Sequence, residues 1–208
     1  MKKNDLKLIG SCIASGNPKV ELNYALVSSD GIYATDSRKA IHFNVPMLGC
    51  EDMLVHKKVL HGFVSTLDKD DEATIDGFGF LRNGLIKMSC DTFEHDDPKF
   101  PDMERILSEK LEYGFEINDI SDLHFELTQR ECYIDEYLLN PFIELTNCNK
   151  YVVSFNKQKV DGNLTDTGRV KIIGLYDTEE ETDLVKFTAM IMGREFKTQV
   201  KEQLLLDI

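Results

Sequence analysis

The densest group of reactive side chains is Glu94-His-Asp-Asp97, where a histidine lies among three carboxylates, a set whose donors suit a divalent metal ion. No second cluster of His or carboxylates marks the remaining ligands, and the group runs straight into Pro98 in a polar stretch. His42, His56, His61 and His124 are scattered, which suits local hydrogen bonding better than catalysis. Gly77-Phe-Gly79 is too short for a phosphate loop, and neither a nucleophile elbow nor a paired Cys/His motif occurs. The chain is therefore expected to be no enzyme, with neither cofactor nor metal. Cys12, Cys50, Cys90, Cys132 and Cys148 are odd in number and lack Cys-x-x-Cys spacing, so reduced, partly buried thiols are expected.

Charge separates the chain into two regions. The net charge is −13, yet residues 1–60 hold eight basic against six acidic residues, while residues 61–208 hold sixteen against thirty-one. A generic nucleic-acid binder would be rich in Lys and Arg throughout. Any positive potential belongs to the first quarter, where Lys2, Lys3 and Lys7 and then Lys57 and Lys58 fall on two amphipathic segments. Those lysines fit phosphate contact or an ordinary solvated helix face equally well. No apolar run approaches the roughly 20 residues of a membrane span, and the opening residues lead into no signal-peptide core, so a cytoplasmic location is expected.

Periodicity places a helix over residues 4–14, with Leu6, Ile9 and Ile13 on one face, ended by Gly16-Asn-Pro18. Strands follow over 22–27 and 31–45 around Ser29-Asp30-Gly31, then a helix over 55–67. A hairpin over 73–80 and 84–90 and a polar strand or loop over 92–100 complete the first half. The pattern of helix, strands, helix, strands is an internal duplication of α+β type, with helices on one face and antiparallel sheets outside. The second half reads as strands at 113–117 and 123–128, a helix over 134–146 that Pro141 should kink or shorten, and strands at 151–155, 171–176 and 184–192.

Four segments in order resemble the bacterial DNA polymerase III beta subunit, the sliding clamp. Ala34-Thr-Asp-Ser-Arg-Lys-Ala40 is similar to that family's Ala-Thr-Asp-Gly-His-Arg-Leu run. Lys99-Phe-Pro-Asp-Met-Glu-Arg-Ile-Leu107 is similar to the segment ending its middle domain, and Thr188-Ala-Met-Ile-Met-Gly-Arg-Glu-Phe196 to the end of its last domain. Residues 133–145 followed by 151–155 resemble the helix and strand before that end. The resemblance implies a DNA-clamp fold of two domains, 1–107 and 108–208, linked near 108–111 and followed by a tail at 197–208. Only one inner helix is legible after residue 107, so the second domain is expected to be a reduced copy. The short form suggests a phage or mobile element.

The resemblance also implies a function. Lys2, Lys3, Lys7, Lys57 and Lys58 would face double-stranded DNA without reading bases, in a ring for which a homotrimer is the natural extrapolation. A cleft for peptides of the DNA polymerase and other replication proteins would be built from Thr35, Ser37, Arg38, Lys39 and Ala40 on one side. Pro101, Arg105 and Ile106 would form its floor, with Met190, Ile191, Met192, Arg194 and Phe196 opposite. Read as a bare pattern, residues 190–192 are simply a buried strand. The tail Gln203-Leu-Leu-Leu-Asp-Ile208 itself loosely resembles a peptide for such a cleft. The alternative is a clamp-like interaction module that does not encircle DNA and binds or mimics replication proteins.

Overall fold

The structure, a computed structural model, describes residues 1–45, 52–76, 79–83, 86–89, 100–157, 160–161, 164–165, 168–176 and 184–193. The Glu94–Asp97 cluster, Cys50, Cys90, Arg194, Phe196 and the tail lie outside the described residues.

Helix α1 (Lys3–Ser11) buries Leu6, Leu8 and Ile9. The Asp5 carboxylate accepts the Lys2 backbone N–H at 2.8 Å, so one of the orphan donors at the helix start is satisfied. Strands β1 (Tyr24–Ser28) and β2 (Gly31–Thr35) form a hairpin whose closing pair is Ser28 and Gly31. Gly31 has φ +149°, and a Cβ there would lie 2.3 Å from the Phe43 carbonyl oxygen, so only glycine fits. A second turn leads to β3 (Lys39–Phe43), and β4 (Met53–His56) pairs with the other side of β1.

The helix expected over 55–67 starts later, as α2 (Lys57–Thr66). Met53 and Val55 are buried while Leu54 and His56 are half-buried, a two-residue period that overlaps the helical one. His56 ends the strand and caps the helix, its Nδ1 accepting the Lys58 backbone N–H at 3.1 Å. Strands β5 (Ala73–Asp76), β6 (Gly79–Arg82) and β7 (Ile86–Ser89) then form a three-stranded antiparallel sheet. Phe63 of α2 stacks on Phe80 of β6 with centroids 4.9 Å apart. The short helix α3 (Met103–Leu107), capped by Asp102, leads across to β8 (Tyr113–Ile117).

The strand expected at 123–128 is instead helix α4 (Leu123–Gln129). Leu123 and Leu127 are both 0% exposed, while Phe125 between them is 62% exposed. A strand would have put all three on one face; the four-residue spacing of the leucines serves a helix. The second half therefore does contain two helices, α4 and α5 (Glu136–Leu145), and the expected shortage of a helix is corrected. Pro141 lies inside α5, which starts two residues later and ends one residue earlier than expected.

Strands β9 (Lys150–Asn156), β10 (Val160–Asp161), β11 (Leu164–Thr165), β12 (Arg169–Tyr176) and β13 (Leu184–Met192) complete the chain, with β10 and β11 as a separate small hairpin. One antiparallel sheet crosses both halves in the order β4-β1-β2-β3-β13-β12-β9-β8. The β3–β13 seam runs in register from Phe43 opposite Phe187 to Lys39 opposite Ile191. α1 packs against both α2 and α5, and one apolar core runs from Leu6 and Ile9 through Phe142 to Val153 and Phe187. No helix among the described residues is long and apolar enough to cross a membrane.

Candidate peptide cleft and basic helix face

A cavity of about 200 Å³ opens beside the β3–β13 seam. The turn between β2 and β3 brings Thr35, Ser37, Arg38, Lys39 and Ala40 to it, and β13 brings Met190 and Met192. Pro101 and Ile106 come from the α3 segment. The turn is held by its own chemistry: Asp36 Oδ1 accepts the backbone N–H groups of Arg38 and Lys39 at 2.9 and 2.7 Å. Ser37, at its tip, is forced to φ 76°. Met192 N–H then donates to the Arg38 carbonyl at 2.8 Å, tying the turn to β13.

Four of the expected cleft residues are placed otherwise or lie outside the described residues. Ile191 is 0% exposed and packs into the main core, because side chains alternate across a strand and Met190 and Met192 take the cleft face. The Arg105 side chain is exposed and outside the lining; its backbone N–H serves the Asp102 cap at 2.9 Å. Arg194 and Phe196, which the resemblance also assigned here, cannot be placed, since they lie outside the described residues.

Lys19, Glu21 and Leu22, which no sequence motif marks, also line the cavity, Lys19 capping a 3-10 turn at Val20–Asn23 that carries the other two. That turn is folded back by Asn23 Oδ1, which accepts the Asn17 N–H at 2.9 Å, and by the Leu22 carbonyl, which accepts from Ala14 at 2.8 Å. Two asparagines six residues apart around Pro18 were the available signal.

The floor is apolar: Ala40, Met103, Leu107 and Met190 form a small core of their own with Tyr33, Phe100, Ile106 and Leu111 around it. The rim carries Lys19, Arg38 and Lys39 against a single Glu21. Lys39 is only 8% exposed, with its ammonium 3.3 Å from Asp36. Arg38 is drawn toward the second half: its Nη1 donates to the Tyr137 hydroxyl, Nη2 lies 3.9 Å from Asp135, and the guanidinium sits 5.7 Å from the Tyr137 ring centre. At about 200 Å³ the site falls below the roughly 300–1,000 Å³ of small-molecule pockets and suits one or two apolar side chains.

The five lysines expected to face DNA divide. Lys2, Lys7 and Lys58 are exposed, and Lys69 joins Lys2, Lys3 and Lys7 around a surface groove of about 430 Å³. Lys3 and Lys57 are engaged within the fold: Lys3 Nζ donates to the Leu67 carbonyl and Lys57 Nζ to the Ile13 carbonyl, each at 2.5 Å. Each ammonium thus sits at the C-terminal end of the other helix, where a cation suits the helix dipole. Burial, with Lys39 nearby, holds Lys57 below the usual lysine range. On the neighbouring α5 the exposed charges are Glu136 and Glu144.

The remaining polar candidates are structural. His42 stacks on Tyr33 at 4.2 Å, with Nε2 3.2 Å from the Asp30 carbonyl. Cys12, Cys132 and Cys148 are free and buried, and burial pushes their thiols up to about 12, 12 and 11. Among the described residues no group of three or more His, Cys, Asp or Glu side chains could hold a metal ion.

No family model and no curated protein sequence matches this chain. Its fold matches solved structures. The DNA polymerase III beta chain of Streptococcus pneumoniae superposes with TM-score 0.58 at 12% identity, covering 92% of this chain and 63% of that one. The Helicobacter pylori beta clamp bound to a DNA ligase peptide superposes with TM-score 0.56 at 11% identity, covering 91% and 62%. The same clamp in complex with diflunisal gives 0.57 at 11% identity. The fold is a clamp fold, and the chain spans less than two thirds of the length of these neighbours.

Proposed function

We propose that this chain is a non-enzymatic clamp-like module that receives a short extended peptide of a replication protein in the cleft beside the β3–β13 seam. The observation that carries this reading is the convergence of twelve residues, from four segments separate in sequence, on one apolar cavity with a cationic rim. Met190, Met192 and Ile106 would take the apolar side chains of the peptide, and Lys19, Arg38 and Lys39 its acidic or polar end. The two clamp-like units, 1–107 and 108–208, meet at this seam. The test is fluorescence anisotropy with a labelled peptide bearing one Gln and two terminal apolar residues. Met192→Glu and Ile106→Glu should each weaken binding at least tenfold, about 1.4 kcal/mol. Arg105→Ala should change it little. Absence of saturable binding by the native chain rules the reading out.

A second reading, a processivity factor that encircles DNA and tethers a polymerase in the cytoplasm, is favoured by the exposed Lys2 just before α1, Lys7 on α1 and Lys58 on the adjoining α2. Removing one lysine–phosphate pair should flatten the log–log dependence of affinity on salt by about 0.9. Lys2→Glu, Lys7→Glu and Lys58→Glu together should therefore flatten it by about 3 if this face meets DNA. An unchanged slope removes it from DNA binding.

A further inference from the structure

The three cations on the rim of the cleft are held differently. Lys39 is buried against Asp36, and Lys19 is an exposed point charge on a flexible stem. Arg38 is anchored at its backbone and loosely held at its tip. Its N–H donates to Asp36 Oδ1 at 2.9 Å and its carbonyl accepts the Met192 N–H at 2.8 Å, so the side chain leaves from a fixed point on the turn. The side chain, 30% exposed, lines the cavity and reaches the start of α5. Among the described residues the polar partners of its guanidinium are the Tyr137 hydroxyl and one Asp135 oxygen at 3.9 Å. A fork of several donors is thus served by one hydrogen bond and one long ion contact.

The acid in that contact stands at an N-cap without capping. Asp135 precedes the first turn of α5, where an aspartate ordinarily accepts a backbone N–H, yet its carboxylate makes no cap bond to its own helix. If Arg38 turned toward the cavity, Asp135 would have the orphan N–H groups of α5 to accept from. The exchange would therefore cost little.

We propose that Arg38 is the specificity-determining residue of the cleft: it selects a peptide with a carboxylate side chain beside its apolar anchors, and Asp135 is a built-in competitor which that carboxylate displaces. A carboxylate on a peptide in the cavity can take two parallel N–H bonds from the guanidinium, which the long contact with Asp135 does not supply. Tyr137 is a positioning residue, its hydroxyl holding one edge of the fork and leaving the other for the ligand. The inference rests on the peptide reading of the cleft and adds the chemistry of the peptide to it.

The test is fluorescence anisotropy on the full chain with two labelled peptides that differ only in Glu or Gln at the residues flanking an apolar pair. The readout is the ratio of their affinities, because a merely structural change in the cleft moves both peptides together. The native chain should prefer the Glu peptide about fivefold, the upper end for a partly exposed ion pair. Arg38→Met should bring the ratio to about one, and Lys19→Met should lower it less. Asp135→Asn should raise the ratio about twofold in the native chain and leave it unchanged beside Arg38→Met, whereas Glu136→Gln, on the exposed neighbour, should not raise it. Equal affinity of the native chain for both peptides overturns the proposal and leaves the peptide reading standing. So does a ratio that Asp135→Asn fails to raise, or that Glu136→Gln raises as much. Saturable binding of neither peptide overturns both.

Discussion

The first half holds its two helices apart in sequence by four strands and together in space by two lysines; the second joins its helices through six residues and holds them by apolar contact. Leu123, Leu127, Leu138, Leu139 and Phe142 are all buried, and Cys132 and Ile134 bury the connection between the helices. What the second half lacks in its own sheet it takes from the first: β13 continues β3, and α5 lies on α1. A half with no strand between its two helices thus keeps its helix pair packed where the neighbouring half supplies the surface.

The strongest way to break that dependence is at its polar tie. Asp5 on α1 and Lys186 on β13 are both buried, with Nζ 2.8 Å from Oδ1, and Lys186 also sits 4.7 Å from the Tyr176 ring centre. Asp5→Leu or Lys186→Met alone leaves one buried charge unpaired and should cost about 3–5 kcal/mol in urea unfolding. The double variant should recover most of that loss, because neither charge then remains. Burial opposes the Lys186 charge, but its bonds to Asp5 and Tyr176 outweigh this and hold its pKa above the usual 10.5. A raised folded value means the stabilisation is full below the unfolded value and is lost as pH rises through the folded one. The alkaline fall in stability should therefore be steeper in the native chain than in the double variant.

Within the first half the lysine clasp should matter less. Lys3→Met and Lys57→Met each remove a charge-assisted bond to a carbonyl and should cost about 1–2 kcal/mol, while Lys58→Met should stay within about 0.5 kcal/mol. Equal effects for all three would mean the clasp adds nothing beyond a solvated helix face. The halves can also be compared by thiol labelling in mild urea. Cys12 lies in the complete half and Cys132 in the dependent one, and both are held unreactive near pH 8 by burial. If the second half leans on the first, Cys132 should label before Cys12; simultaneous labelling would mean one indivisible unit.

How far these features were legible in the sequence follows from how local their causes are. β13 was readable to the residue, since its ends are set by its own apolar run. α4 was not: Leu123, Phe125 and Leu127 satisfy a two-residue period as well as a four-residue one, and only the core decides that Phe125 faces out. The start of α2 failed for the same reason, with Val55 fitting both periods. In the cleft, the residues on the β2–β3 turn were visible through their motif, whereas Ile191 was misassigned by ignoring strand alternation. Lys19, Glu21 and Leu22 arrive through a fold-back that leaves little trace in composition.

The smallest expected effect concerns the turn that carries the cleft. Ser37 holds φ 76°, a left-handed conformation that costs a residue with a Cβ about 1–2 kcal/mol. Its position is not negotiable, because Asp36 Oδ1 binds the next two backbone N–H groups, Thr35 Oγ1 accepts the Ser37 N–H at 3.2 Å, and Met192 N–H holds the Arg38 carbonyl. Ser37→Gly should relieve that strain while making the unfolded chain more flexible, for a net gain of about 0.5–1 kcal/mol in urea unfolding. Ser37→Ala keeps the Cβ and should give no gain. If both substitutions behave alike, the strain at this turn is not what limits its stability, and its rigidity belongs to the β3–β13 seam rather than to the turn itself.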